Sequence, residues 1–296
     1  MQIELPGIPL QPIIDALTTE KGVRLYMLRT DLNHPHISGN KLYKLKYNLE
    51  AAFRANFGTL LTFGGAYSNH IAAVAAAGKT YGFKTIGIIR GERYEQLNPT
   101  LQFASDQGMQ LEYVSRDLYR QKEMLRSYIK QKYNESVFII PEGGSNELGV
   151  LGCKEITKQV PIHFDYICCA CGTGTTLTGI VLSLKNVQKA MGIQVLKASN
   201  YIHDEVKRQL AVAGHPKTNW YVWDNYHFDG YAKIKTELLT FIEEFENRHR
   251  IPLDPVYTGK MMYGLYDLIE NNHFKKGETI IAVHTGGLQG KPLPTH

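Results

Sequence analysis

The stretch "TLLTFGGAYSNHIAAVAAAGKTYGFKTIGIIR", residues 59–90, indicates the fold class. Its pattern is typical of an apolar strand, a glycine turn, an alanine-rich helix and a second apolar strand. Two strands joined by a helix form a βαβ unit, in which the strands run parallel in one sheet. Helices cover both faces of such a sheet, so its strands are continuously apolar, as both of these are.

The same alternation continues along the chain and predicts an α/β protein with open, mostly parallel sheets flanked by helices. Further strands are predicted at residues 109–115, 137–143, 166–172, 193–199 and 279–287, and further helices at 98–108, 117–133, 175–184 and 259–272. Because 296 residues exceed the usual size of one hydrophobic core, two domains are expected. The predicted division gives a smaller α/β domain of residues 45–140 and a larger one of residues 1–44 and 141–296.

Composition excludes several classes of partner. The net charge of +5 includes no block of five or more like charges, which argues against a nucleic-acid-binding arm. No run of about 18 apolar residues is present, so no membrane span is expected. The N-terminal residues lack a basic segment leading into an apolar one, and a cytoplasmic protein is therefore predicted.

The cysteines are predicted to be buried and unpaired. Three of the four, Cys168, Cys169 and Cys171, lie in a predicted strand, and the fourth is Cys153. Although Cys168 and Cys171 have C-x-x-C spacing, strand positions three apart face opposite sides of a sheet. No second pair completes a zinc site, so no metal centre is predicted and the cysteines are interpreted as small apolar residues.

Three predicted strands end in glycine-rich turns, at residues 63–70, 171–179 and 284–290. Ligands of open α/β sheets gather at the carboxyl ends of strands, so the three turns are expected to share one site. Residues 172–176, "GTGTT", open a predicted helix whose free amides and dipole favour a phosphate. A tight turn with a threonine cap is the alternative. The spacing matches neither the nucleoside-triphosphate nor the dinucleotide motif, which favours a small phosphorylated cofactor.

The stretch "ISGNKLYKLKYNL", residues 37–49, carries three lysines on the predicted first turns of a helix. The Ser-Gly-Asn before them is predicted to cap that helix. Lys41, Lys44 and Lys46 could form a solvated basic face, or one of them could be a chemical reagent. Spacing alone does not separate these two interpretations.

Five ordered motifs, "GNK", "GGAYSNH", "GTGTT", "DPVYTGKMMYGL" and "HTGG", separate them through a family resemblance. They resemble the 1-aminocyclopropane-1-carboxylate deaminase and D-cysteine desulfhydrase family, which are pyridoxal-phosphate enzymes of the tryptophan-synthase β type (fold type II). The resemblance extends from about residue 7 to residue 288. It implies pyridoxal 5'-phosphate in a cleft between two α/β domains, a small amino-acid substrate and a homodimer.

The resemblance also implies a role for individual residues around the cofactor. Lys41 would link to the cofactor aldehyde and later move a proton at the substrate carbon, with Asn40 positioning it. Lys46 would remain an ordinary surface charge. The other predicted cofactor-binding residues are Lys44, Gly172, Thr173, Gly174, Thr175 and Thr176 at the phosphate, Asn69 at the phenolic oxygen, and Thr258 and Thr285 near the ring.

On the substrate side, Ser68 corresponds to the catalytic serine of the family. The helix that follows it, beginning with Asn69 and His70, would receive the substrate carboxylate. Tyr257 matches a tyrosine near the substrate, and Tyr231 matches another more loosely. The family pattern around the latter is G-Y-G, whereas this chain has alanine at position 232.

The identity of the reaction rests on two threonines. Thr258 stands where the deaminases carry a glutamate, and Thr285 stands where they carry a leucine; His70 also favours the desulfhydrases. A hydroxyl tolerates a neutral pyridine ring, which suits α,β-elimination better than opening of a cyclopropane. D-cysteine is therefore predicted to yield pyruvate, ammonia and sulfide.

Other interpretations remain open. They are 1-aminocyclopropane-1-carboxylate deamination, another dehydratase or racemase reaction on the same scaffold, and a catalytically inactive cofactor-binding protein, for which the short C-terminus is the hint. Tyr67 replaces the family's usual glutamine, and Leu42 and Tyr43 replace Thr-Arg after the lysine. These departures leave the natural substrate open.

Overall fold

The structure is a computed structural model that describes residues 1–93, 95–134 and 136–288. Within these residues the strands are β1 Leu10–Ile13, β2 Arg24–Leu28, β3 Thr59–Gly65, β4 Lys84–Arg90, β5 Met109–Val114, β6 Phe138–Ile140, β7 Tyr166–Cys171, β8 Lys189–Gln194, β9 Trp220–Trp223 and β10 Thr279–Val283. They form a six-stranded sheet of order β1-β2-β10-β7-β8-β9 and a four-stranded sheet of order β5-β4-β3-β6. The β1–β2 pair is antiparallel, and the other pairs are parallel. The predicted α/β class is confirmed.

Helices cover both faces of each sheet. The described helices are α1 Ala16–Lys21, α2 Asn40–Arg54, α3 Asn69–Tyr81, α4 Pro99–Asp106, α5 Arg116–Arg120, α6 Lys122–Tyr133, α7 Glu147–Cys153, α8 Thr175–Ser183, α9 Tyr201–Val212, α10 Thr236–His249 and α11 Thr258–Glu270. On the four-stranded sheet, α2, α3 and α4 pack on one face and α5 and α6 on the other. On the six-stranded sheet, α10 and α11 cover one face and α8 and α9 the other.

The stretch at residues 59–90 folds as predicted. β3 and β4 pair in parallel from Thr59 opposite Lys84 to Gly65 opposite Arg90, and α3 crosses between them. The apolar pattern predicts both strands because their central residues are buried on both faces of the sheet.

The edges of the six-stranded sheet were predicted less well. The strand predicted at residues 193–199 is wrong in position, because β8 spans Lys189–Gln194 and overlaps the prediction only at residues 193 and 194. Gly192 lies inside β8, before the predicted strand. Leu177 requires its lack of a side chain, because Leu177 Cδ2 would lie 2.7 Å from a Cβ. No strand was predicted for β1, β2 or β9. β1 carries Pro12, which lacks an amide proton and is tolerated on an edge strand.

The cysteines behave as predicted. All four are buried and unpaired. Cys168 belongs to the core on one face of the six-stranded sheet, whereas Cys169 and Cys171 belong to the core on the other. The C-x-x-C pair therefore points to opposite faces.

The predicted domain division stays a prediction. The four-stranded sheet lies within residues 59–140, but the predicted boundary between residues 44 and 45 falls inside α2. The C-terminal residues 289–296, on which the catalytically inactive interpretation rests, lie outside the described residues. Among the helices that the structure describes, none is long and apolar enough to cross a membrane.

Candidate active site

The three glycine turns meet at one cavity of about 1310 Å³. The turn after β3 contributes Gly65 to His70, the turn after β7 contributes Gly172 to Gly174, and the turn after β10 contributes Thr285 to Gly287. The first turns of α2 enter the same cavity with Asn40, Lys41 and Lys44. The carboxyl ends of parallel strands from both sheets thus converge on one site, as the sequence predicts.

Lys41 presents an amine that is easily deprotonated. Its Nζ donates a hydrogen bond of 2.8 Å to Asn40 Oδ1, and Asn40 Nδ2 in turn donates to Thr176 Oγ1 at 2.9 Å. Burial, helped by the positive charge of Lys44, lowers the pKa of Lys41 to about 7. A large fraction of this amine is therefore neutral, and so nucleophilic and basic, near neutral pH.

The predicted Ser-Gly-Asn segment lies at the N-terminus of α2, but it caps the helix through its backbone and not through a side chain. Gly39 is the N-cap residue, with φ of 71°, and no side chain caps the helix. A Cβ on Gly39 would lie 2.1 Å from the carbonyl oxygen of Thr285, and the Asn40 amide donates to that same oxygen at 3.3 Å. Glycine is thus required both by the left-handed conformation and by the close approach of the turn after β10.

The other two lysines near the start of α2, Lys44 and Lys46, are buried. Lys44 Nζ donates to the Gly143 carbonyl at 3.0 Å and lies 3.4 Å from Thr173 Oγ1, so it joins α2 to the second glycine turn. Burial lowers the pKa of Lys44. The prediction that Lys46 is an ordinary surface charge is wrong: its Nζ donates to the Ile3 carbonyl and to Glu50. The N-terminal segment covers this face of α2, which helical spacing alone does not show.

The turn "GTGTT" opens α8 without a threonine cap. Gly174 is the N-cap residue, with φ of 72°, and the helix begins at Thr175. The Thr175 hydroxyl donates instead to Ser145 Oγ at 2.9 Å, and Thr176 accepts from Asn40. The first amides of a helix have no intrahelical partner, so an uncapped α8 presents donors and a positive dipole end to the cavity.

The helix after β3 has the predicted cap. Ser68 Oγ accepts a hydrogen bond from the Ile71 amide at 3.3 Å, and both Ser68 and Asn69 line the cavity. His70 is buried, with Nε2 2.9 Å from Thr62 Oγ1. Because Thr62 donates to the Ile140 carbonyl, His70 Nε2 is the donor in this contact. Burial and the charges of Lys41 and Lys44 hold the pKa of His70 well below its usual value, so the ring is neutral.

Two tyrosines form the opposite wall. The Tyr257 hydroxyl lies 3.4 Å from the Tyr231 hydroxyl, and the rings meet edge to face with centroids 5.9 Å apart. A Cβ on Gly172 would lie 3.2 Å from the Tyr257 ring, so this ring also packs on the turn at residues 172–176, where a phosphate is predicted to bind. Burial raises the pKa of Tyr257, which keeps its hydroxyl protonated.

Thr285 and Thr258 differ in their access to the cavity. Thr285 lines it, whereas Thr258 is absent from the lining that the described residues form. The Thr258 hydroxyl donates to Asp254 Oδ2 at 2.6 Å and accepts from the Asp254 amide at 2.9 Å. Asp254 also accepts from the amides of residues 256–258, so its carboxylate is fully engaged at the start of α11.

Four residues at or near the site were given no role by the sequence. Glu142 and Tyr201, which lie in none of the five motifs, line the cavity. Asp254 and Lys260 belong to the motif "DPVYTGKMMYGL"; Asp254 accepts from Thr258, and Lys260 donates to the carbonyls of residues 227 and 230. Glu142 lies at the end of the predicted strand 137–143, so its place at a carboxyl edge could have been inferred. Tyr201 begins α9, which gave no comparable signal.

Known proteins are similar to this chain over nearly its whole length. The family model described as pyridoxal-phosphate dependent enzyme matches residues 5–286. A putative 1-aminocyclopropane-1-carboxylate deaminase of Thermotoga maritima is 31% identical, over 98% of this chain and 96% of its own length. A mitochondrial bifunctional D-cysteine desulfhydrase/1-aminocyclopropane-1-carboxylate deaminase of Arabidopsis thaliana is 29% identical, over 97% of this chain and 75% of its own length.

A solved structure shares the fold. It is described as a homologue of 1-aminocyclopropane-1-carboxylate deaminase and superposes with a TM-score of 0.82 at 29% identity. The superposition covers 98% of this chain and 92% of that one.

Proposed function

The chain belongs to the pyridoxal-phosphate-dependent enzymes, and from that premise we propose that it catalyses α,β-elimination of D-cysteine. The products would be pyruvate, ammonia and sulfide. The α-proton and the β-thiolate leave the substrate, and water replaces the nitrogen in the resulting enamine. We propose in addition that the enzyme is a cytoplasmic homodimer.

The residues of the cavity fit the cofactor. A phosphate would meet the uncapped N-terminus of α8 at Thr175, with Lys44 and Thr173 beside it. The ammonium of Lys44 has three protons, and only some of them are used by the Gly143 carbonyl and Thr173. Lys41 supplies a readily deprotonated amine for the aldehyde. When bound, the cofactor withdraws electrons from the substrate and so eases removal of the α-proton.

The protein's own groups would bind the substrate and transfer protons. The N-terminus of α3, with Ser68 and Asn69, would bind the substrate carboxylate. The neutral amine of Lys41 would accept the α-proton, and the Ser68 hydroxyl would relay a proton beside it. Tyr257 remains protonated and could donate to the departing sulfur.

The observation that favours elimination over ring opening is the state of position 258. Thr258 offers a hydroxyl that is already donated to Asp254, and the Asp254 carboxylate is saturated by backbone amides. Neither group supplies the free carboxylate that the resemblance places at this position in the deaminases. A ring nitrogen without such a partner suits loss of a thiolate, which is a good leaving group, better than cleavage of a carbon–carbon bond.

The second candidate is 1-aminocyclopropane-1-carboxylate deamination. It is supported by the names of the relatives in Thermotoga maritima and Arabidopsis thaliana, the second of which combines both activities.

The test is a comparison of substrates on purified enzyme loaded with pyridoxal phosphate. We expect pyruvate and sulfide in equal amounts from D-cysteine and little 2-oxobutanoate from 1-aminocyclopropane-1-carboxylate. L-Cysteine serves as the control for stereochemistry, and the Lys41→Ala variant controls for turnover by free cofactor. Formation of 2-oxobutanoate without any pyruvate from D-cysteine would reverse the assignment.

A further inference from the structure

Lys260 is a buried charge that the proposed chemistry does not use. It lies on the first turn of α11 with no exposed surface, and its Nζ donates to the carbonyls of His227 and Gly230, both at 2.8 Å. In the described part of the chain its hydrogen-bond partners are these two carbonyls, and no carboxylate forms an ion pair with it. Burial lowers the pKa of Lys260 to about 8, although the charge of Asp254 acts in the opposite direction.

A lysine at such a place is unfavourable unless its hydrogen bonds are needed. Burial of an ammonium group has a desolvation penalty, whereas a methionine of similar length packs in an apolar core without one. The neighbours Met261 and Met262 show that this helix accommodates such side chains. The two carbonyl contacts are therefore the feature that distinguishes lysine from an apolar residue at position 260.

The carbonyls belong to a segment with unusual backbone geometry, residues 227–232, which we call the tyrosine loop. Phe228, Asp229, Gly230 and Ala232 have φ of 52°, 67°, 129° and 55°. A non-glycine residue in the left-handed region is disfavoured by about 1–2 kcal/mol. Several such residues in succession persist only where surrounding contacts fix the backbone, and such segments concentrate at functional sites.

Helix α11 supplies these contacts at two points. Its first contact is the pair of carbonyls that bind Lys260, and these also accept the internal hydrogen bonds of the loop. The His227 carbonyl accepts from the Gly230 amide at 3.0 Å, and the Gly230 carbonyl accepts from the Lys233 amide at 3.1 Å. One turn further along α11, the Tyr263 ring packs edge to face on Phe228 with centroids 4.9 Å apart. Outside, Asp229 pairs with Lys235 and Lys197 on the solvent side.

The loop carries Tyr231 directly after Gly230. Tyr231 reaches the cavity and places its hydroxyl 3.4 Å from that of Tyr257, which lies immediately before α11 and three residues before Lys260. We propose that Lys260 is a positioning residue of the active site: by binding the carbonyls of His227 and Gly230, it holds the tyrosine loop so that the Tyr231 hydroxyl stands beside Tyr257. The part assigned to Tyr231 rests on the proposed function, whereas the anchoring itself does not.

The anchoring is tested by hydrogen exchange in Lys260→Met. We expect the Gly230 and Lys233 amides to exchange about tenfold faster or more than in the wild type, as about 1.4 kcal/mol of local stability is lost. Lys217→Met is the matched control, because Lys217 Nζ also donates to a backbone carbonyl, that of Leu184 at 2.7 Å. Unchanged exchange of both loop amides in Lys260→Met would overturn the proposal. This result is independent of which substrate the enzyme uses.

The link to the active site is tested by a double-mutant cycle. In the wild-type background Lys260→Met should lower kcat/KM about tenfold while the visible absorption of the bound cofactor is retained; in Tyr231→Phe it should cause little further loss. Equal losses in both backgrounds would show that Lys260 does not act through Tyr231. Should Lys260→Met not fold, Lys260→Gln replaces it, because glutamine lacks the charge and is too short to reach both carbonyls as lysine does, and the same two measurements apply to it. If the wild type turned over neither D-cysteine nor the cyclopropane substrate, the proposed function would fail while the exchange result would still decide the role of Lys260.

Discussion

The turns after β3, β7 and β10 each follow an interior strand of a sheet, whereas the tyrosine loop follows the edge strand β9 and an irregular segment. Both regions line the same cavity, but they are held by different forces. The turns are placed by sheet register and by close backbone contacts such as that of Gly39 with Thr285. The tyrosine loop is placed by the ammonium of Lys260 and by ring packing on α11.

The two regions therefore differ in how strongly their backbone position is fixed. A turn that follows a strand inherits the position of the whole sheet, so a small local change does not displace it. A loop in left-handed conformation can relax once its anchor is lost. In this chain Asn69 and the turn at residues 172–176, proposed to contact the cofactor, lie on the first kind of support, and Tyr231, proposed to face the substrate, lies on the second. Substrate preference should therefore be easier to alter by mutation than cofactor binding.

The largest effect is expected for Lys41→Ala, which removes the proposed reagent while leaving the turns in place. We expect the visible absorption of lysine-linked cofactor to disappear and kcat to fall at least about 100-fold, the lower range for loss of a positioned proton-transfer group. Absorption spectra and steady-state rates measure this. The matched control is Lys79→Ala, an exposed lysine on α3. Survival of the absorption in Lys41→Ala would mean that another lysine carries the cofactor.

The rigidity of the turns is tested by Gly39→Ala. The left-handed φ and the 2.1 Å approach of Thr285 O together predict a loss of roughly 3 kcal/mol or more in the free energy of unfolding. Gly82→Ala is the control, because Gly82 has φ of 79° with no atom within 4 Å of a Cβ, so only the conformational penalty of about 1 kcal/mol is expected. Chemical denaturation compares the two. Equal losses would show that the contact between α2 and the third turn is not tight.

The charges of Lys41 and Lys44 predict that the rate of cofactor capture depends on pH. Because the pKa of Lys41 is about 7, its amine is mostly protonated below this pH and mostly neutral above it. The rate at which cofactor-free protein captures pyridoxal phosphate should therefore rise through pH 7 and then level off. Lys44→Met removes a like charge, so the pKa of Lys41 should rise and the midpoint should move to higher pH. The shift should be partial, since burial is the larger cause.

The control for this shift is Lys46→Met, on the same helix. Lys46 is engaged with Ile3 and Glu50, away from the amine of Lys41, and its removal should leave the midpoint unchanged. A midpoint that stayed in place in Lys44→Met, or moved to lower pH, would contradict the assignment of Lys44 as the neighbouring charge.

The same contrast explains what the sequence could predict. Periodicity located β3, β4, β7 and β10 because strands buried on both faces are continuously apolar, and the turns after them followed from topology. The family resemblance, and not spacing, singled out Lys41. The edge strands β1 and β9 were not predicted: Gln11 and Pro12 break the apolar pattern of β1, and β9, although all four of its residues are apolar or aromatic, is short.

Long-range contacts account for the remaining failures. Burial of Lys46 depends on Ile3, 43 residues away in the chain. The role proposed for Lys260 depends on carbonyls 30 and 33 residues away. Every residue has a backbone carbonyl that can accept a hydrogen bond, so the residue type does not show which carbonyl is used. Such partners cannot be inferred from one sequence.

The smallest expected effect concerns Ala232 in the tyrosine loop. Ala232 has φ of 55°, where the family pattern G-Y-G has glycine. Ala232→Gly should therefore raise the free energy of unfolding by about 1 kcal/mol, because glycine adopts this conformation without steric penalty. In Ala213→Gly, where φ is −71°, the sign should reverse, since glycine there only adds freedom to the unfolded chain. Denaturation midpoints measure both variants, and a loss of stability in Ala232→Gly would mean that the loop is not strained at this residue. Since Lys260 would still bind both carbonyls, KM for D-cysteine should stay the same in Ala232→Gly, which separates strain in the loop from its anchoring.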